Sequence, residues 1–122
     1  VANSFVHIEL STGDVERAKA FYGSLFDWKQ QDMPMGDGQT YTLIDAGEDN
    51  TGGGMMKSPM PGAPPMWLAY VGVDDLDAST NKAKELGATV LKEKTEVPGM
   101  GWFSVLTDPT GAMFAMWQPA PR

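Results

Sequence analysis

His7 and Glu9 stand two residues apart in Phe5-Val6-His7-Ile8-Glu9-Leu10, a segment whose polar and apolar residues alternate as in a β-strand. Residues i and i+2 of a strand share a face, so the sequence predicts an imidazole and a carboxylate side by side. Histidine is the side chain whose ordinary pKa lies closest to neutrality. Paired with a carboxylate in an apolar setting, it could move a proton on an enolisable or epoxide-like substrate. His7 is the only histidine and there is no cysteine, which excludes disulfides, thiolate metal sites and cysteine nucleophiles. The same two residues also fit a structural reading. There His7 is a hydrogen-bonded core histidine and Glu9 ties down a loop or a neighbouring strand.

Several elements must position this pair. Val6, Ile8 and Leu10 form the other, uniformly apolar face of the first strand and should pack on a helix. That helix is expected over residues 14 to 26, with Asp14 as N-cap and Val15, Ala18, Phe21, Tyr22, Leu25 and Phe26 on one stripe. A weak strand follows from Trp28 to Met33, ended by Pro34 and the turn Gly36-Asp37-Gly38. A clearer one runs from Gln39 to Ala46, with Tyr41, Leu43 and Asp45 on one face. A short strand is expected around Gly54-Met55-Met56. The preceding Gly52-Gly53-Gly54 lacks the Lys-Ser/Thr of a phosphate loop and instead suggests close backbone approach.

The chain then says the same thing again. Met66 to Val73 alternates like the first strand, and Asp75 opens a helix to Leu86, with Leu76, Ala83 and Leu86 inward and Gly87 as its stop. Ala88 to Lys92 reads as a strand and Pro98-Gly99-Met100-Gly101 as a turn or loop. Trp102 to Leu106 and Ala112 to Gln118 form a hairpin across Asp108-Pro109-Thr110-Gly111. Asp14 answers Asp75, Leu25 answers Leu86 at the same offset, and Thr51-Gly52-Gly53-Gly54 is echoed by Thr110-Gly111. Two copies of a βαβββ unit follow, with any site expected where they meet. The 122 residues read as one domain, 1–122. Module one spans 1–57, a stiff Pro-rich linker 58–65, and module two 66–119.

Composition narrows the partners. A net charge of −7 disfavours nucleic acid and anionic lipid. No apolar run is long enough to span a membrane, and no signal peptide is visible, so a cytoplasmic protein is expected. Nine methionines and four tryptophans suit a core or an adaptable apolar pocket. Met33, Met35, Met55, Met56, Met60 and Met66 could be core filler, lid or dimer surface.

His7-Ile8-Glu9-Leu10, Ala18-Lys19-Ala20-Phe21-Tyr22-Gly23, Ala83-Lys84-Glu85-Leu86-Gly87-Ala88 and Asp108-Pro109-Thr110-Gly111-Ala112 together resemble the vicinal oxygen chelate superfamily. That group includes glyoxalase I, extradiol dioxygenases and bleomycin-resistance proteins. The resemblance spans nearly the whole chain. It implies an α+β fold in which two βαβββ modules form a cupped, barrel-like mixed sheet with helices outside, and it implies a homodimer. Members often carry two such domains in tandem. The family's metal site takes a ligand from the first and the last strand of each half. Carried onto this chain, those positions are His7, Met56, Leu68 and Ala115. His7 is the only ligand-type residue among them, so no metal and no cofactor are expected.

The resemblance and the alternation leave two functions open. One is a lyase or isomerase that uses His7 and Glu9 as catalytic residues without the usual metal. The other is a non-catalytic protein that binds or sequesters a small molecule or antibiotic. A metal-dependent glyoxalase or dioxygenase is a third, weaker fit. In each case a small organic ligand would meet Phe5, Met56, Leu68, Tyr70, Ala115 and Trp117, with Trp102 and the Pro98–Gly101 loop able to close over it. Trp67, Trp102 and Trp117 each also fit ordinary core packing.

Overall fold

The computed structural model describes residues 3–35, 38–58 and 62–121. Its elements are β1 (Phe5–Thr12), α1 (Val15–Leu25), β2 (Lys29–Pro34), β3 (Thr40–Asp45), β4 (Gly53–Lys57), β5 (Met66–Gly72), α2 (Leu76–Glu85), β6 (Thr89–Val97), β7 (Gly101–Thr107) and β8 (Met113–Pro119). The fold is α+β, and strand, helix and three strands occur twice in order, as the internal repeat predicts. Contacts divide the chain into two units, His7–Leu68 and Val1–Val6 with Ala69–Arg122. Gly36 and Asp37 of the expected turn, and Pro59, Met60 and Pro61 of the expected linker, lie outside the described residues.

In the His7–Leu68 unit the strands are ordered β2-β3-β4-β1. Short connections make β2–β3 and β3–β4 antiparallel, whereas β4 returns parallel to β1. Leu10, Ile44 and Met55 are buried on one side of these strands against Val15, Ala18 and Tyr22 of α1 and against Trp28. The apolar face of β1 therefore meets its helix at Leu10. Asp14 caps α1 by accepting the Arg17 amide at 3.0 Å, which satisfies one of the amides a helix start leaves open. Lys19 reaches from α1 to Asp32 of β2 at 2.8 Å. Asp32 also accepts from the buried Thr42 hydroxyl at 2.7 Å.

The buried stripe of α1 is narrower than the sequence predicts. Val15, Ala18 and Tyr22 lie in line, while Phe21 and Leu25 are exposed. Each step along a helix turns about 100°, so Phe21 is rotated well away from Tyr22. Phe26 ends the helix, and its ring centroid lies 4.8 Å from that of Trp28.

The second unit orders its strands β5-β8-β7-β6 and again has one parallel pair, β5 with β8. Val73, Leu76, Leu106 and Met116 form its core. Asp75 caps α2 through the Ala78 amide at 3.1 Å, and the Gln118 side chain accepts the Leu76 amide at 2.8 Å. Leu86, expected inward, is 69% exposed. The helix ends at Glu85, and the chain turns away at Gly87, whose φ of 103° suits a residue without Cβ. The strand expected to stop at Lys92 runs to Val97. Its charged Lys92-Glu93-Lys94 stretch has no apolar alternation to read. Irregular pairing with β7 holds it, with two shifts of register. The Lys92 and Lys94 ammonium groups lie 5.6 and 5.4 Å from the ring centres of Phe103 and Trp102. Charged edge residues and bulges also keep an outermost strand from recruiting another chain. The Asp108–Gly111 turn closes the β7–β8 hairpin as expected, with Asp108 accepting the Thr110 amide at 2.8 Å.

Among the described residues no helix is long and apolar enough to cross a membrane. At Gly53 of the first unit a Cβ would collide with the Ile8 carbonyl oxygen. Gly53→Ala is expected to lower the unfolding free energy by roughly 1–3 kcal/mol, measured by urea denaturation. An unchanged midpoint would show that β4 can retreat freely from β1.

Candidate functional site

On the side of β1 away from α1, alternation places His7, Glu9 and Ser11. The parallel register sets Glu9 against Gly54 and Ser11 against Met56. The antiparallel register of β3 sets Leu43 against the same Gly54. Tyr41, two residues before Leu43, shares this face. Its hydroxyl bridges the two polar residues of β1, lying 2.7 Å from His7 Nε2 and donating to Glu9 Oε1 at 2.9 Å. The His7 and Tyr41 rings are nearly parallel, with an interplanar angle of 24° and centroids 6.2 Å apart. Glu9 is buried, while His7 and Tyr41 are half-buried. Desolvation pushes the His7 pKa below its ordinary 6.5.

Gly54 explains how Tyr41 reaches its place. All three atoms nearest to a Cβ built on Gly54 belong to the Tyr41 phenol, and a real Cβ would overlap them. The ring lies on bare backbone. The sequence placed Tyr41 on the correct face of its strand without assigning it a role. The triple glycine was the available signal, since close approach at a strand implies something large beside it.

The other sequence-predicted residues are distributed as follows. Met56, half-buried on β4, joins the His7 face by register. Leu68 is buried in the same unit. Phe5, Tyr70, Trp102, Ala115 and Trp117 belong to the other unit. There Phe5 is exposed, and Tyr70 and Ala115 are buried partners in the β5–β8 register. Trp102 packs against that unit's core. Trp117 lines a 360 Å³ groove with Val6, Asp74 and Pro119. The Pro98–Gly101 segment forms the β6–β7 turn, with the Met100 amide donating to Val97 at 2.9 Å.

A further cavity of 310 Å³ in the His7–Leu68 unit is lined by Ile8, Trp28, Ile44, Ala46, Gly52 and Trp67, among others. Ile8 and Ile44 alternate with His7, Glu9 and Leu43, so this cavity opens on the helix side of the strands, away from the hydrogen-bonded trio.

The residues of this chain do not fit the divalent ion that the resemblance implies. Of the positions His7, Met56, Leu68 and Ala115, only His7 offers a nitrogen or oxygen donor. No group of three or more His, Asp or Glu among the described residues could hold an ion. The His7 Nε2 atom is engaged with Tyr41. No buried side-chain nitrogen or oxygen among the described residues lacks a hydrogen-bond partner. A catalytic metal needs three or more donors with an open position, and those four positions supply one.

Comparison with known proteins agrees with the fold. The family model for the glyoxalase/bleomycin resistance protein/dioxygenase superfamily matches residues 4–116. The Mycobacterium tuberculosis protein named "Putative glyoxylase CFP32" is 40% identical over 114 residues, covering 93% of this chain and 43% of that protein. The Streptomyces peucetius anthracycline biosynthesis protein DnrV is 29% identical over 123 residues, covering 90% of this chain and 45% of that one. The chain thus spans less than half the length of these curated relatives. Among solved structures, methylmalonyl-CoA epimerase from Mycobacterium tuberculosis superposes with a TM-score of 0.73 at 16% identity, covering 96% of this chain and 88% of that one. A hypothetical protein from Bacillus halodurans gives 0.75 at 13%, covering 100% and 98%. At such identities these two structures speak to fold alone. The chain belongs to the glyoxalase/bleomycin resistance protein/dioxygenase superfamily.

Two measurements check the site as described. Calorimetric titration of the chain with Zn²⁺ or Ni²⁺ is expected to show no one-to-one complex, and a stoichiometric site would overturn the misfit of the donor set. The second concerns pH. Below 6.5 the unfolded chain protonates His7 while the folded chain still resists. Stability therefore falls as pH drops from about 6.5 to the lowered folded value, and this group contributes no further loss below it. The urea midpoint of the wild type should fall across that window, and that of His7→Gln should fall less. Parallel slopes would show that His7 is not desolvated. Asp32 and Asp108 are held below their ordinary carboxylate range chiefly by hydrogen bonds from Lys19 and Thr110, so their loss belongs to a separate, more acid window.

Proposed function

We propose that this superfamily member binds a small organic molecule on the face of His7, Tyr41 and Glu9 and moves a proton on it without a resident metal. The observation that carries this reading is the unbroken hydrogen-bonded chain from His7 Nε2 through the Tyr41 hydroxyl to Glu9 Oε1. An imidazole kept below its ordinary pKa is neutral, and therefore basic, at physiological pH. Such a base takes a proton from the carbon beside a carbonyl, and the bonding electrons move onto the carbonyl oxygen as an enolate. Return of the proton to a different atom isomerises the molecule. Loss of a group from the next carbon makes the step a lyase reaction. The relatives' names, a glyoxylase and an anthracycline biosynthesis protein, support a small organic ligand.

Non-catalytic binding is the second reading, and one observation favours it. The 310 Å³ cavity is walled by Trp28 and Trp67, whose rings stand at 77° to each other, and by glycine backbone. Apolar aromatic walls with few polar groups suit ligand retention better than proton transfer.

Methyl-proton exchange of methylglyoxal and pyruvate in D₂O, followed by NMR, separates the two readings. The wild type is expected to accelerate exchange, and His7→Ala to remove roughly 100-fold or more of that acceleration. Ligand binding without exchange would favour the second reading. Exchange rates that are the same with wild type, with His7→Ala and without protein would overturn the catalytic one.

A further inference from the structure

We propose that Tyr41 is a reversible proton relay between His7 and Glu9, and that Gly54 is the residue that positions it. The inference deepens the proton-transfer reading of this face and, for its catalytic meaning, rests on that reading.

A phenol has one proton to give and lone pairs with which to receive. Tyr41 gives its proton to the Glu9 carboxylate, so the 2.7 Å contact on its other side must be a donation from His7 Nε2–H. That fixes the neutral imidazole as the Nε2–H tautomer and leaves Nδ1 as its basic nitrogen. A proton arriving at Nδ1 makes the ring an imidazolium. The Nε2 proton can then pass to the Tyr41 oxygen as the Tyr41 proton passes to Glu9. The products are a neutral His7 with its proton on Nδ1, an intact Tyr41 phenol and a protonated Glu9 carboxyl. No charge is left on the phenol, and every bond formed is matched by one broken. Run backwards, the same chain returns the stored proton to His7.

Two features suit the chain to this work. Glu9 is buried, only 9% exposed, so a proton stored there is screened from exchange with water. Desolvation holds the His7 pKa below its ordinary value, so the imidazolium gives up a proton more readily than an exposed one would. Gly54 supplies the geometry. A side chain there would occupy the volume of the phenol, and the far end of a tyrosine can swing away more cheaply than backbone can move. A methyl at position 54 is thus expected to displace the hydroxyl rather than unfold the strand.

The test reads the His7 ring directly by ¹⁵N NMR of the whole chain at neutral pH, without substrate. The wild type should show a single Nε2–H tautomer. Tyr41→Phe should give a mixture that includes Nδ1–H. Gly54→Ala should give the same mixture although its tyrosine is intact. A wild type in the Nδ1–H form would overturn the relay. A folded Gly54→Ala with the wild-type pattern would overturn the role of Gly54. Should Gly54→Ala fail to fold, the same substitution in Tyr41→Ala removes the overlap. The double variant must then be more stable than Gly54→Ala alone, and equal instability would refute the seat. Because this readout needs no ligand, it can succeed where deuterium exchange fails, in which case only the catalytic reading falls.

Discussion

Gly53 has no side chain because the carbonyl oxygen of Ile8 stands where its Cβ would be. Much of the first unit follows from that contact. It lets β4 lie against β1 in a parallel register that no hairpin could make. The register places Met55 beside Leu10 in the core and, one residue earlier, Gly54 beside Glu9 on the opposite face. Side chains alternate with a period of two, so a slip of one residue would exchange the two faces. The fully buried Met55 makes such a slip costly, since its thioether side chain would leave the core. Packing on one side of the strands thereby fixes the polar geometry on the other.

The polar trio also shows how little machinery the face holds. His7 and Glu9 come from one strand, Tyr41 from another, and Gly54 contributes by having nothing to add. The scaffold is that of a superfamily known here by its family match, yet the positions that resemblance marks for metal ligands hold Met56, Leu68 and Ala115. A fold of this kind hosts different chemistries at sites laid upon it. Here the hydrogen bonds of a phenol join groups that are two residues apart on their strand and that a metal would need further donors to unite.

The sequence made the fold legible through periodicity and repetition. Both N-caps, Asp14 and Asp75, stand where the acid before an apolar stripe predicted them. The strand and helix order followed from two passes of the same pattern. What escaped was set by tertiary context. Phe21, Leu25 and Leu86 look inward by hydrophobicity and are exposed, because helix rotation and helix ending depend on what the helix lies against. The extension of β6 to Val97 comes from pairing with β7, which charged residues do not announce. Pairing hid Tyr41 as well. Its face was readable, but its neighbours on β1 depend on how β3, β4 and β1 are ordered, and sequence spacing carries no sign of that. His7 and Glu9 were legible because their relation is local to one strand.

The parallel pairing of β1 with β4 also bears on how the first unit comes into being. The two hairpins of that unit join neighbours in sequence, whereas Ile8 meets Gly53 only after α1, β2 and β3 have been laid between them. Contacts of such long sequence separation are the slow ones, since the intervening loop must be closed before any ladder rewards it. Until then His7 is an ordinary water-exposed imidazole and Tyr41 has no bare backbone to rest on. A nascent chain that has not yet docked β4 has no joined trio of His7, Tyr41 and Glu9, and the unit assembles that face in the same event that completes its fold.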